Sequence, residues 1–132
     1  MAKPHTTPDV PVTKDPTMQR PIPTVWRPVF RGIVSAFAKG DFRLSVGVPG
    51  VSPVRENVAA QIAAYLKDYG ETLVELPEET WETSVCMWTG ARWDTIVDLW
   101  TIGEDRSDLI LQTLVSEAGA GFKYDVRLVY VP

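Results

Sequence analysis

Apolar side chains recur at two different spacings along the chain, and the change of spacing divides it into a helical half and a strand half. Between residues 24 and 70 they recur every three or four positions, which is typical of helices with one buried face. From residue 72 onward they recur at alternate positions, which is typical of strands. The pattern predicts an α+β domain.

Two helices and two short strands are predicted before the main strand region. The first helix covers residues 25–39. The second covers residues 52–69, because a serine–proline pair that suits a helix start opens it and a glycine follows it. Residues 42–48 alternate between apolar and other side chains and therefore predict a strand, and residues 72–76 predict another.

Four tryptophans lie within twenty residues, and their numbers are symmetric about Gly90-Ala91. A hairpin that turns there, with strands over 81–89 and 92–101, places Trp88 opposite Trp93 and Trp81 opposite Trp100. The two tryptophans of each strand are seven residues apart. Because this number is odd and side chains alternate along a strand, the two pairs lie on opposite faces of the sheet. The face with the outer pair also carries Thr83, Val85, Met87, Asp94, Ile96 and Asp98.

A second hairpin is predicted at the C-terminus, with a turn over residues 118–121. Residues whose numbers sum to 239 then pair, so that Leu111 meets Leu128 and Leu109 meets Tyr130. The predicted fold is α+β, with two helices packed on one face of an antiparallel, meander-like β-sheet of about five to six strands.

Residues 1–23 differ in composition from the rest of the chain and contain six of its eleven prolines. They show no apolar periodicity, so we expect an extended segment without regular structure, and its composition favours a flexible tail. The alternative is an arm that packs as polyproline on its own domain or on a partner. Residues 24–132 form the single predicted domain.

Charge and composition exclude several classes of function. The net charge is −4 and basic residues form no cluster, so nucleic acid is not an expected partner. Apolar stretches are too short to span a membrane, and no signal peptide is recognisable at the start. The single cysteine, Cys86, suits a reducing compartment, so we expect a cytoplasmic protein.

The common catalytic and metal-binding patterns are missing from the sequence. His5 is the only histidine, and neither a GxGxxG nor a GxxxxGK[ST] pattern occurs. We therefore predict no catalytic residue set, no metal and no cofactor, and the interpretation favours a protein that is not an enzyme.

A polar segment joins the two hairpins and carries most of the candidate chemistry, namely Glu104, Asp105, Arg106 and Asp108, with Asp98 just upstream. One interpretation is a tight turn in which Arg106 pairs with Asp98 or Asp108. The alternative is a small hydrolase or transferase built on Asp98, Arg106 and Asp108.

Several short motifs resemble a family of small uncharacterised bacterial domains. They are Leu76-Pro77, Trp81, Ser84-Val85, Trp88, Asp98-Leu99-Trp100-Thr101, Arg106-Ser107-Asp108-Leu109 and the ending Tyr130-Val131-Pro132. The resemblance covers residues 25–132. It implies a bacterial or phage source and carries no established activity.

The main functional hypothesis is a non-enzymatic bacterial protein-binding domain. It is an immunity- or inhibitor-type protein that binds another protein through an acidic, Trp-bearing sheet face. The candidate binding residues are Trp81, Asp98, Trp100, Glu104, Asp105, Arg106 and Asp108. The alternatives are the hydrolase or transferase, and a phage or assembly component that docks by its N-terminal arm.

Overall fold

A computed structural model describes residues 9–132; His5 lies outside this range. Within it, α1 is Arg27–Ala38 and α2 is Glu56–Tyr69, and the strands are β1 Arg20–Pro21, β2 Val85–Trp88, β3 Trp93–Thr101, β4 Asp105–Ala118 and β5 Gly121–Tyr130. The five strands form one antiparallel sheet in the order β1-β2-β3-β4-β5. The predicted α+β fold is confirmed.

Both helices form where the apolar periodicity predicts them. A short 3-10 helix, Thr24–Trp26, leads into α1, whose buried stripe includes Phe30 and Phe37. Helix α2 ends at Gly70, which has a φ of 84° and therefore closes the helix in the left-handed conformation that glycine favours. It begins four residues later than predicted, because the backbone at Ser52 donates a hydrogen bond to the edge of β5 instead.

The two short strands predicted outside the hairpins are not formed as strands. Residues 42–48 are a loop in which the Asp41 carboxylate accepts hydrogen bonds from the backbone N–H groups of Ser45 and Val46. Leu44 has a φ of 57° and is buried, and Phe42 and Val48 pack against the core, so the apolar side chains turn inward from a loop and not from a strand. Residues 72–76 contribute a single bridge, between Leu73 and Thr101.

The tryptophan hairpin has the predicted register over β2, where Trp88 pairs with Trp93 and their ring centroids are 4.6 Å apart. The predicted pair of Trp81 with Trp100 is wrong. Trp81 lies in a second 3-10 helix, Glu78–Glu82, and Trp100 lies opposite Arg106 of β4.

Hydroxyl side chains replace the missing part of the first hairpin strand. Thr80 Oγ1 donates to the carbonyl oxygen of Asp98 (2.7 Å), and the N–H of Asp98 donates to Ser84 Oγ (2.9 Å). The backbone of β3 is therefore satisfied without a neighbouring strand at this point, which explains why the chain can turn into a 3-10 helix here.

A bulge changes the register of the last hairpin. From the turn as far as the pair Thr113–Val126 the strands pair as predicted, but Arg127 is then left without a partner. Beyond it Leu128 pairs with Gln112 and Tyr130 with Ile110, so the predicted pairs of Leu111 with Leu128 and Leu109 with Tyr130 are wrong. The bulge moves Leu128 and Tyr130 to the face of the sheet opposite the helices.

The described part of the proline-rich arm contacts the domain at several points. Val10 and Thr24 exchange hydrogen bonds, and the indole Nε1 of Trp93 donates to the carbonyl oxygen of Thr13 (3.0 Å). The Lys14 ammonium lies 5.2 Å from the ring centroid of Trp88. Strand β1 then pairs with β2. The arm thus adds a strand to the sheet and covers one end of the core.

A turn in the arm gives a pH-dependent signal. The Asp15 carboxylate accepts hydrogen bonds from the Thr17 hydroxyl (2.6 Å), from the Thr17 N–H (2.9 Å) and from the Arg20 guanidinium (2.8 Å), which together hold the Asp15 pKa at about 2. Because the folded pKa is lowered from 3.8, the turn is fully stabilised above that value and loosens as the pH falls towards 2.

We therefore expect the Thr17 amide resonance to titrate with a midpoint near the Asp15 pKa of about 2. An NMR titration between neutral pH and strong acid measures this midpoint. The variant Asp15→Asn should show no such transition. A midpoint at the ordinary aspartate value would contradict the hydrogen-bonded turn.

Candidate functional site

Strand β3 alternates strictly between two environments, and this alternation defines the two faces of the sheet. Trp93, Thr95, Val97, Leu99 and Thr101 are buried, whereas the residues between them are half-buried. The buried set joins the core that also contains the buried side chains of both helices. The helices therefore lie on this face, and the opposite face, which we call the open face, has a separate set of side chains.

The open face has an apolar centre. By strand alternation and register it carries Val85, Met87, Ile96, Ile110, Leu114, Leu128 and Tyr130. None of these side chains belongs to the core or packs against it. Leu128 is 37% exposed, whereas Ile110, which lies between Asp98 and Tyr130 in the register of the sheet, is 4% exposed.

Two half-buried carboxylates stand on this face on either side of Ile96. The Asp94 carboxylate accepts a hydrogen bond from Gln112 Nε2 (3.1 Å), and the Asp98 carboxylate accepts one from Thr83 Oγ1. The ion pairs found in residues 9–132 involve neither carboxylate. Within residues 9–132 both carboxylates thus have neutral hydrogen-bond donors and no ion-pair partner.

The structure separates the two outer tryptophans of the predicted site. Trp81 is 5% exposed and lies against the guanidinium groups of Arg27 and Arg31, whose carbon atoms are 5.4 and 5.6 Å from its ring centroid. It is therefore part of the packing around α1. Trp100 follows the alternation onto the open face at the end of β3, is half-buried and also contacts the core.

Arg27, which lies against Trp81, is a buried cation. Its Nε donates to the carbonyl oxygen of Ile22 (3.1 Å), and its side chain lies against the indole ring. Burial, followed by the nearby charge of Arg31, lowers the Arg27 pKa from its ordinary value. The two arginines fix Trp81 in place by cation–π contact.

The polar segment after β3 is a turn tied to helix α2. Glu104 accepts a hydrogen bond from the Tyr69 hydroxyl (2.9 Å), and the Gly103 N–H donates to the Glu71 carboxylate (3.0 Å). Asp105 has a φ of 58°, which is the left-handed conformation of a tight turn. Glu104 and Asp105 thus have structural roles in connecting β3 to β4.

The residues of the alternative enzyme do not form an ion-paired cluster. Arg106 and Asp108 are exposed on β4, and neither takes part in an ion pair among the described residues, so the predicted pairing of Arg106 with Asp98 or Asp108 is wrong. Two large clefts are present, and neither is lined by Asp98, Arg106 or Asp108. One of about 500 Å³ lies between the start of α2 and β5 and is also lined by Leu114 and Leu128 of the open face. The other, of about 460 Å³, lies between α1 and residues 44–49.

The part of the chain that the structure describes, residues 9–132, has no group of three or more histidine, cysteine or acidic side chains that could hold a metal ion. Neither of its helices has the length and apolar character that crossing a membrane requires.

Four open-face residues escaped the sequence prediction, namely Ile110, Leu114, Leu128 and Tyr130. The signal for Ile110 is the run of three apolar residues in Leu109-Ile110-Leu111, because a strand with three consecutive apolar residues buries side chains on both faces. Leu128 and Tyr130 have no such signal, since the bulge at Arg127 alone moves them.

These features define an α+β domain whose antiparallel sheet has one face covered by two helices and one face open. Residues 34–132 match the family described as Domain of unknown function (DUF7668), so the chain belongs to that family. The predicted resemblance to a family of small uncharacterised domains is thereby confirmed. No curated protein and no solved structure matches the chain significantly. The arm and the first part of α1 precede the matched region.

Proposed function

We propose that this chain is a non-enzymatic protein-binding domain and that its open face is the docking surface. The observation that carries the proposal is the composition of that face. An apolar centre around Ile96 and Ile110 lies outside the core, and the carboxylates of Asp94 and Asp98 beside it have no cation partner among the described residues.

The apolar centre supplies the affinity in this proposal. A sheet with an apolar face is stabilised when a second layer covers that face, and contiguous apolar patches on a protein surface mark interaction sites. Full burial of a side chain of the size of isoleucine or methionine contributes about 1.5–3 kcal/mol. Met87 and Ile96 are half-buried, so part of this free energy is still available to a partner.

The charge of the face supplies the specificity. A half-buried carboxylate that gains a lysine or arginine forms a charge-assisted hydrogen bond, which is stronger than one from a neutral donor. The net charge of −4 also favours encounter with a basic protein. An immunity or inhibitor protein that masks the basic surface of a bacterial toxin is the particular role that we propose.

Trp100, Arg106 and Asp108 border this surface and are its expected periphery, whereas Trp81 is enclosed beside α1 and does not contribute contact area. The hot spot therefore lies at Ile96 and Met87 and not at a pair of tryptophans. Residues at the centre of an interface dominate its free energy.

The experiment compares two glutamate substitutions. The immobilised chain is used to capture proteins from a host lysate, with Ile96→Glu as the test and Val46→Glu as the matched control, since Val46 is 94% exposed in the loop after α1. We expect Ile96→Glu to abolish capture of a specific protein and Val46→Glu to leave it unchanged. Circular dichroism confirms that both variants fold. Equal capture by the unchanged chain, Ile96→Glu and Val46→Glu would contradict the proposal.

A further inference from the structure

We infer that the open face receives an amphipathic helix of the partner, with an apolar stripe and two basic side chains about two helical turns apart. This inference rests on the proposed function, since it names the element that docks on the same face. It follows from the lack of a continuous free strand at either edge of the sheet and from the positions of Asp94 and Asp98, which have no ion-pair partner among residues 9–132.

The β5 edge of the sheet does not offer free backbone for strand addition. The Tyr124 N–H donates to the carbonyl oxygen of Gly50 (3.0 Å), and the Ser52 N–H donates to the carbonyl oxygen of Tyr124 (2.9 Å). Near the end of β5 the Val131 N–H donates to the Tyr65 hydroxyl (3.1 Å), and between these points the bulge at Arg127 interrupts the strand. A strand of a partner finds no continuous ladder here.

The other edge offers no continuous ladder either. Its edge strand, β1, has only two residues and one of them is a proline, which has no N–H to donate, and beyond β2 the Ser84 and Thr80 hydroxyls bond the backbone of β3 at Asp98. Further along, the Val74 N–H donates to the carbonyl oxygen of Trp100 (3.0 Å). A partner that extends the sheet by strand addition would have to displace these bonds. Docking on the face needs no such displacement.

A helix suits the open face because it needs no backbone partner. All of its interior backbone groups are bonded within the helix, so it can bury an apolar stripe on the sheet without leaving donors unpaired. A layer of helix packed on the apolar face of a sheet is one of the stable layer arrangements. The partner's helix would supply the second layer, opposite the layer formed by α1 and α2.

The two carboxylates set the spacing of the basic residues. Asp94 and Asp98 are four residues apart on β3, which corresponds to about 13 Å along the strand. Along a helix seven or eight residues span about 11–12 Å, so cations at that separation reach both carboxylates. Ile96 lies between them and meets apolar side chains three or four residues from each cation. A helix with acidic residues at these positions is repelled.

The test uses three synthetic helical peptides and needs no native partner. The first carries a leucine stripe and two lysines eight residues apart on the borders of that stripe. The second has the same composition with the lysines four residues apart, and the third has glutamates in place of the lysines. Binding to the full chain is measured by tryptophan fluorescence and by isothermal titration calorimetry.

The protein variants isolate the two carboxylates. Asp94→Asn/Asp98→Asn removes the charges of the two β3 carboxylates and leaves Asp125 and Lys123 of β5, which share the open face, unchanged. Asp68→Asn/Glu79→Gln removes two exposed charges elsewhere and matches the change in net charge. We expect the first peptide to bind at least fivefold more tightly than the second. The third peptide, which has glutamates in place of the lysines, should show no detectable binding. The first peptide should bind Asp94→Asn/Asp98→Asn at least tenfold more weakly than the unchanged chain. Its affinity for Asp68→Asn/Glu79→Gln should fall by less than twofold.

Each outcome separates this inference from the proposed function. If no peptide binds while capture from the lysate still depends on Ile96, the helix is wrong and the docking surface stands. Equal binding of all peptides, or binding that ignores the two aspartates, also overturns the inference. If sedimentation shows a dimer that Ile96→Glu dissociates, the occupant is a second copy of this chain. If no peptide binds and Ile96→Glu leaves capture from the lysate unchanged, the proposed function is wrong as well.

Discussion

Replacing Trp26 with alanine is expected to lower the free energy of unfolding by about 3–5 kcal/mol, which is typical for the loss of a buried aromatic side chain. Trp26 is fully buried, and its ring makes edge contacts with Trp93 (5.2 Å between centroids) and Phe122 (5.4 Å). Aromatic pairs of this geometry contribute about 0.5–1.5 kcal/mol each beyond the area they bury. The substitution removes both pairs and leaves a cavity.

This prediction bears on where the domain begins. Trp26 precedes residues 34–132, which match the family, yet it lies in the centre of the core. Urea denaturation of Trp26→Ala gives the change directly, and Val25→Ala is the matched control because Val25 is 62% exposed. The control should change stability by less than about 0.5 kcal/mol. A loss below about 1 kcal/mol for Trp26→Ala would mean that residues before 34 are an appendage rather than part of the core.

Deleting residues 1–21 is expected to increase the reaction rate of Cys86 with a thiol reagent by roughly tenfold or more at pH 8, since each unit by which the pKa falls gives ten times more thiolate. Cys86 is 3% exposed, its Sγ lies 3.6 Å from the carbonyl oxygen of Pro21, and burial raises its pKa to about 11. Removing β1 opens this edge to water and lowers that pKa. The deletion also removes the acceptor of the Trp93 indole.

The matched control is deletion of residues 1–8, which keeps every contact of the described arm, from Val10 to Pro21. Its labelling rate should equal that of the full chain. Circular dichroism shows whether the longer deletion still folds, and rates are compared at a temperature where it does. Equal rates for both deletions would show that the arm does not shield Cys86 and that the packing seen at β1 has little effect on the domain.

The register of the tryptophan hairpin could be predicted because it depends on local symmetry. Trp88 and Trp93 flank a turn of a few residues, so the numbering alone sets their pairing and the faces of Met87, Asp94 and Ile96. Much of the open face followed from that register. The placement of Asp98 on this face was also correct, although its predicted partner strand is absent.

The remaining errors come from long-range contacts that leave no periodic signal. The hydroxyls of Thr80 and Ser84 satisfy β3 where a strand was expected, so Trp81 turns towards α1. The bulge at Arg127 has no local marker, and it alone decides that Leu128 and Tyr130 belong to the open face. Both features depend on residues brought together by the fold.

The open face as a docking surface is tested most directly by methyl NMR of the full chain with the leucine–lysine peptide. We expect the methyl signals of Met87, Ile96 and Ile110 to shift on binding, while those of Leu111 and Val115 on the covered face stay in place. Shifts confined to Val46 and Val48, beside the cleft next to α1, would contradict it.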